Sequence, residues 1–175
     1  VKVQNTQALG ASIHQEGANY DAAYDAAQRI CAETGRIYIH AFRDPAIIAG
    51  QGTIALEILE QLPDVDVVVC SLGGGGMAAG IGVTLKGLKP TTRLIACQAA
   101  GADSMKQSFD QGVAVTLEKV ATFADGVAVR KANPEMFEFL KGRIDEVLEA
   151  DDEEIAAAVL VLMEKAKLVS EGSGA

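Results

Sequence analysis

The segment from Val65 to Gly76 joins a mainly apolar run to four consecutive glycines. Its first part, Val65 to Leu72, is short and rich in valine, which is typical of a parallel strand buried on both faces. Glycine has no Cβ atom and adopts backbone angles that other residues avoid, so four in a row predict a tight connection at the carboxyl end of that strand. We therefore expect a buried strand followed by a glycine loop near the middle of the chain.

Helical and extended patterns alternate along the rest of the chain. Asp44 precedes a proline, and Asp151 is followed three residues later by Glu154, which are patterns typical of helix N-termini. Alternating strands and helices predict an α/β fold with a mostly parallel, open sheet. The predicted strands lie at residues 11–15, 36–42, 65–72, 93–98 and 144–148. The predicted helices begin after Asn19, after Asp44, around Met77, at Ala102, at Pro134 and after Asp151.

Composition limits the partners that this chain can have. A net charge of −9, with the basic residues scattered singly, provides no basic stripe for nucleic acid. No apolar run approaches the roughly 20 residues that cross a bilayer. The cysteines show neither disulfide nor metal-binding spacing, which favours buried thiols in a reducing cytoplasm. We therefore expect a small-molecule partner and a cytoplasmic location, with neither nucleic acid nor membrane involved.

The position of the glycines indicates a phosphate site. They fall where a strand ends and a helix begins, and a helix N-terminus offers unpaired N–H groups and the positive end of a dipole. Residues 73–78 fit the dinucleotide pattern G-x-G-x-x-A, but Gln98 stands where the ribose of NAD needs an acid. A Rossmann-type NAD dehydrogenase domain and a non-catalytic module that binds a phosphorylated metabolite remain alternatives.

Five motifs occur in a fixed order along the chain: Asp44-Pro45, Ile48 to Thr53, Val68 to Gly80, Ala124 to Gly126, and Lys167 to Ala175. In this order and at this spacing they resemble the threonine/serine ammonia-lyases (dehydratases), which belong to the tryptophan synthase β-like fold type II enzymes dependent on pyridoxal 5′-phosphate. The resemblance covers essentially the whole chain. It implies a three-layer α/β fold with a mostly parallel open sheet, incomplete in this chain.

The same resemblance implies the cofactor-binding residues, which are of three kinds. One group is the loop whose backbone N–H groups hold the cofactor phosphate, another lies beside the cofactor ring, and the third is an acid near that ring. The matching positions are Gly73, Gly74, Gly75, Gly76 and Met77 for the loop, Gly126 beside the ring, and Glu171 for the acid.

Gln98, Ala102 and Ser104 match a cation site of some relatives, in which two acids and a backbone carbonyl bind the ion. Here Gln98 and Ser104 replace both acids. A hard divalent ion prefers carboxylate oxygens, so we expect a monovalent cation held by carbonyl oxygens if the site binds an ion.

No catalytic residue of the family occurs within these residues. The resemblance places the Schiff-base lysine and the serine of a Ser-x-Gly-Asn-His motif upstream of Val1, and a Ser-Gly-Gly-Asn motif beyond Ala175. The chain also starts without an initiator methionine. We therefore expect an interior fragment in which residues 1–40 end a smaller cofactor domain and residues 41–175 form most of a larger, phosphate-binding domain.

The resemblance implies that the full-length protein is a lyase of amino-acid metabolism, in isoleucine biosynthesis or threonine catabolism. It would convert L-threonine, or L-serine, by β-elimination, with L-threonine giving 2-oxobutanoate and ammonia. A homo-oligomer is expected for the full-length enzyme, and the isolated chain is expected to be inactive. The two histidines, His14 and His40, and the acids at 151–154 are interpreted as structural, and Ser173 lacks the context of a nucleophile.

Overall fold

A computed structural model describes every residue of the chain except Asn19. Within these residues the chain forms two compact units, Val1–Ile39 and His40–Ala175. None of the described helices is both long and apolar enough to cross a membrane. The elements in chain order are α1 (Lys2–Ala8), α2 (Tyr20–Thr34), α3 (Pro45–Gln61), β1 (Val67–Ser71), α4 (Gly76–Leu88), β2 (Arg93–Ala99), α5 (Ser104–Gln111), α6 (Pro134–Leu140), β3 (Glu146–Ala150) and α7 (Asp152–Val161).

The unit Val1–Ile39 contains α1 and α2. Arg29 on α2 forms an ion pair with Glu16 at 2.7 Å, and the rings of Tyr24 and Tyr38 meet edge to face with centroids 5.4 Å apart. The predicted helix stop at Gly35 is confirmed, since this glycine has a φ of +70° directly after α2. The predicted N-cap, Asn19, lies outside the described residues.

The strands predicted at residues 11–15 and 36–42 are wrong. Both segments lack a hydrogen-bonded partner strand among the described residues. A strand is stable only when its backbone groups pair with a neighbour and one of its faces is buried. In the second segment Ile37 is 90% exposed and Ile39 is 68% exposed, so the face that carries the isoleucines is not buried either.

The unit His40–Ala175 is built on a parallel sheet of three strands in the order β1-β2-β3. Cys70 of β1 pairs with Ala96 of β2, and Ala96 pairs with Val147 of β3. These three side chains therefore point to one face of the sheet, which we call the core face. The predicted mostly parallel sheet is confirmed.

The core face packs against α4 and α6. Its residues Val68, Leu94 and Ala96 join Ile81 of α4 and Phe137 of α6 in the main hydrophobic core. The expectation that β1 is buried on both faces is wrong for this chain.

The opposite face of the sheet is open along much of its length. Val69 is 65% exposed and Leu148 is 43% exposed on this side. Ile155 of α7 forms a second cluster with Ala99 and Val127, and this cluster covers only the carboxyl ends of the strands.

Two predicted helix N-termini are confirmed by hydrogen bonds. The Asp44 side chain accepts from the N–H of Ala46 at 2.8 Å, directly before the proline that begins α3. Asp151 and Glu154 form a reciprocal capping box at the start of α7. After α7 the chain continues as a π-helical segment, Leu162–Ala166.

Candidate functional site

The four glycines form the connection between β1 and α4, which we call the tetraglycine loop (Gly73–Gly76). Gly75 is the N-cap of α4 and has a φ of +95°, in the left-handed region that favours glycine. No group in the described part of the chain accepts a hydrogen bond from the backbone N–H groups of residues 74–77. These donors lie at the N-terminus of a helix of 13 residues, where an anion is favoured.

Phe42 and Met136 pack so closely against the loop that they leave no room for a Cβ atom. A Cβ at Gly74 would lie 2.6 Å from Cε1 of Phe42, and one at Gly76 would lie 2.8 Å from the Phe42 Cα. A Cβ at Gly75 would lie 2.7 Å from Cγ of Met136. Such distances are shorter than real contacts, so at these positions only glycine fits without displacing its neighbours.

Gly126 and Glu171 lie beside this loop. A Cβ at Gly73 would be 3.3 Å from the carbonyl oxygen of Gly126, and a Cβ at Gly126 would be 3.2 Å from Oε1 of Glu171. The fold thus brings together the predicted phosphate loop and the two predicted ring-side positions, although Gly126 and Glu171 are far from the loop in sequence.

A cavity of about 610 Å³ adjoins this cluster. Met77, the last residue of the predicted phosphate loop, lines it together with Val127 and Ser173. The Ser173 hydroxyl oxygen is buried, lacks a hydrogen-bond partner among the described residues, and would lie 2.6 Å from a Cβ at Gly126. The sequence indicated neither this buried hydroxyl nor the support that Phe42 gives the loop, because both depend on contacts between distant segments.

The predicted cation-site residues lie where β2 leads into α5. Gln98 is 1% exposed, and its Oε1 accepts from the N–H of Lys106 at 2.9 Å. The Ser104 hydroxyl is fully buried and donates to the carbonyl oxygen of Val129 at 2.9 Å. Ala102 is likewise fully buried. Both polar side chains already have protein partners, while Nε2 of Gln98 has none among the described residues.

Acidic and thiol groups near the sheet have shifted pKa values. Glu149 pairs with Gln98 across the strands, and burial together with the neighbouring Asp103 raises the pKa of its carboxyl. Burial raises the pKa of the Cys70 thiol to about 11. Across the described residues, no three His, Cys, Asp or Glu side chains are grouped so that they could hold a metal ion.

Comparison with known proteins gives a consistent result. The pyridoxal-phosphate dependent enzyme family matches residues 1–175. The L-threonine ammonia-lyase of Thermotoga maritima is 47% identical over 174 residues, which are 99% of this chain and 43% of that enzyme. The chain therefore spans less than half the length of this curated relative.

Solved structures match the fold over nearly the whole chain. A threonine deaminase isoform from Solanum lycopersicum superposes with a TM-score of 0.92 at 35% identity, over 98% of this chain and 47% of that one. Maize serine racemase superposes with a TM-score of 0.93 at 31% identity, over 98% of this chain and 52% of that one. The expected fold type II architecture is confirmed.

The residues of the site fit a cofactor phosphate, because the backbone N–H groups of residues 74–77 have no partner among the described residues and the tetraglycine loop has no side chains to hold an anion away. The geometry of the loop is compatible with the match to this enzyme family, which covers all 175 residues. The chain belongs to the pyridoxal-phosphate-dependent enzyme family.

Proposed function

We propose that this chain is an interior part of a threonine ammonia-lyase that converts L-threonine to 2-oxobutanoate and ammonia. Support comes from relatives of that name at up to 47% identity and from the share of their length that this chain spans. The proposal places the lysine that anchors the cofactor upstream of Val1. It also assigns residues 1–40 to the end of a small domain and residues 41–175 to most of the large domain.

In this proposal the tetraglycine loop and Met77 bind the phosphate of the cofactor. Their backbone N–H groups donate to the phosphate oxygens, and the dipole of α4 adds to the attraction. Gly126 lets the ring approach the backbone, and the Glu171 carboxylate lies at the same side of the site. When bound, pyridoxal phosphate supplies an electron sink that acidifies the α-proton of an amino acid.

The remaining assignments concern the whole enzyme. We infer a homo-oligomer in the cytoplasm. We also infer that, if an ion binds near Gln98, Ala102 and Ser104, it is monovalent, since the two polar side chains there are uncharged. The hydrogen bond from Lys106 to Gln98 leaves only one lone pair of the amide oxygen for such an ion.

The single observation that carries the phosphate assignment is the row of backbone N–H groups at residues 74–77 that have no partner among the described residues. The test uses the full-length protein and measures threonine-dependent release of 2-oxobutanoate together with the visible absorption of bound cofactor. We expect both, and we expect Gly74→Ala to weaken cofactor binding at least tenfold because its methyl group would displace Phe42.

The matched control is Gly50→Ala, since a Cβ at Gly50 would have no described atom within 4 Å apart from its chain neighbours and the nearby backbone of its own helix. Equal cofactor binding by the two variants would contradict the role given to the loop. Cofactor binding without release of a 2-oxo acid from threonine or serine would contradict the lyase assignment and favour a non-catalytic binding module.

A further inference from the structure

His40 is linked to the tetraglycine loop through Phe42. Nδ1 of His40 accepts hydrogen bonds from the backbone N–H groups of Phe42, at 3.2 Å, and of Arg43, at 3.1 Å. The rings of His40 and Phe42 also meet edge to face, with centroids 4.5 Å apart. The imidazole therefore fixes both the backbone and the ring of Phe42.

Phe42 in turn packs directly against the tetraglycine loop. The close approach of its ring to Gly74 and of its backbone to Gly76 leaves no space for a methyl group at either position. A shift of Phe42 therefore changes the packing against Gly74 and Gly76, whose N–H groups face the proposed phosphate. His40 lies outside the loop, and its hydrogen bond and ring contact to Phe42 connect it to the loop.

The two hydrogen bonds require one protonation state of His40. Nδ1 can accept only while its lone pair is free, which places the proton of the neutral ring on Nε2. A second proton on Nδ1 would oppose two N–H donors, and both hydrogen bonds would be lost. Among the described residues, Arg43 and Asp44 are charged groups that act on the ring. Burial and Arg43 lower the pKa of His40, while Asp44 opposes them.

We propose that His40 is a positioning residue whose neutral form holds the tetraglycine loop, through Phe42, in the shape that binds an anion. This inference rests on the proposed role of the loop in binding the cofactor phosphate. Protonation of His40 releases Phe42 and weakens anion binding without removing any group that contacts the anion.

The experiment measures the dissociation constants of pyridoxal phosphate and of sulfate for the full-length protein between pH 5 and pH 8. The variants are His40→Asn, whose Oδ1 can accept the same two hydrogen bonds without titrating, and His40→Gln, whose amide is displaced by one bond. Sulfate stays doubly charged in this range, whereas the phosphate of the cofactor has a pKa of about 6. Sulfate and His40→Asn therefore separate the titration of the protein from that of the cofactor.

For each of the two anions, we expect the wild-type dissociation constant to rise relative to that of His40→Asn by about tenfold for each pH unit below the pKa of His40. The reason is that only the fraction of the protein with a neutral His40 is competent to bind. His40→Asn should bind sulfate with the same affinity at every pH, and His40→Gln should bind both anions about tenfold more weakly even at pH 8. When the two proteins are compared at the same pH, hydrogen exchange of the peptide that contains residues 73–77 should become faster in the wild type than in His40→Asn below the same pKa.

Two results would overturn the inference. One is an equal pH dependence of sulfate binding for the wild type and His40→Asn, and the other is wild-type affinity in His40→Gln at pH 8. Failure of the proposed function looks different, because then neither the wild type nor any variant binds pyridoxal phosphate at any pH. In that case the exchange of residues 73–77 still reports whether His40 holds the loop.

Discussion

Gly80 of α4 lies against Gly52 of α3 with no side chain between the two backbones. A Cβ at Gly80 would be 2.5 Å from the backbone nitrogen of Gly52, and one at Gly52 would be 3.2 Å from the carbonyl oxygen of Gly80. Thr84 strengthens the crossing by donating from its hydroxyl to the Gly52 carbonyl oxygen at 3.2 Å. Since α4 carries the tetraglycine loop at its N-terminus, this contact sets the position of the loop.

Replacing Gly80 by alanine should push α3 and α4 apart. Overpacking of this kind costs about 1–3 kcal/mol, and it outweighs the gain of about 1 kcal/mol that alanine brings inside a helix. Urea denaturation should show the loss. Gly87→Ala on the same helix is the control, because a Cβ there would have no described atom within 4 Å apart from its chain neighbours and the nearby backbone of α4. This substitution should leave stability unchanged or raise it. Equal stability of the two variants would refute the close crossing.

Gly75→Ala should lower cofactor affinity by more than tenfold. An alanine at a φ of +95° is strained by about 1–2 kcal/mol, and its methyl group would also meet Cγ of Met136 at 2.7 Å. Gly112→Ala is the matched control, because Gly112 also has a positive φ, +74°, but has nothing within 4 Å of a Cβ. Titration with pyridoxal phosphate checks this, and a similar loss of affinity in both variants would contradict it.

Asp145 should stabilise the sheet through its charge. Its Oδ2 accepts from the N–H of Leu94 at 2.7 Å and pairs with Nζ of Lys86 at 2.6 Å. Burial acts to raise the pKa of this carboxyl, but Lys86, the Leu94 N–H and Arg93 outweigh it, so the pKa lies below the usual 3.8. Asp145→Asn should lower stability at pH 7 by about 1–2 kcal/mol because a charge-assisted hydrogen bond is lost.

The pH dependence of this contribution has a definite sign. A lowered carboxyl pKa stabilises the folded state above the usual value of 3.8. The stability difference between the wild type and Asp145→Asn should therefore be constant near neutral pH and vanish as the pH falls below about 4 through the lowered pKa. Denaturation curves of both proteins from pH 7 to pH 3 measure it. A difference that persists unchanged at pH 3 would show that the charge of Asp145 is not the cause.

Cys70 should resist alkylation in the folded protein. Its pKa of about 11 results first from burial and second from the neighbouring Cys97. At pH 8 only about one thiol in a thousand would then be the reactive thiolate. Iodoacetamide treatment followed by mass spectrometry should leave Cys70 unmodified until urea is added, whereas the half-buried Cys31 should react first. Rapid labelling of Cys70 without urea would contradict its burial.

Local patterns in the sequence predicted the elements whose stability is local. Asp44 before a proline and Asp151 before Glu154 marked the starts of α3 and α7, because a cap is formed by residues within one turn. The glycine loop at the end of β1 was predicted for the same reason. Parallel pairing followed from the alternation of strands with helices.

Predictions that depend on distant partners were less successful. The pattern of residues 36–42 resembles a strand, but within the described part of the chain no strand pairs with it, and His40 and Phe42 instead lie in a turn that packs against the loop. The valines of β1 predicted burial on both faces, yet Val69 is 65% exposed. In both cases the composition of a segment indicates that it can pack against a partner. Whether such a partner is present depends on other parts of the chain.

The strand order β1-β2-β3 also has a consequence for how the protein is synthesised. Each new strand pairs with the strand translated just before it, and all three lie within residues 67–150. A nascent chain can therefore extend the sheet outward from one edge as it leaves the ribosome, without waiting for a later segment to separate strands that are already paired. We expect β1 and β2, with α4 between them, to be the earliest part of this unit to become resistant to proteases during translation.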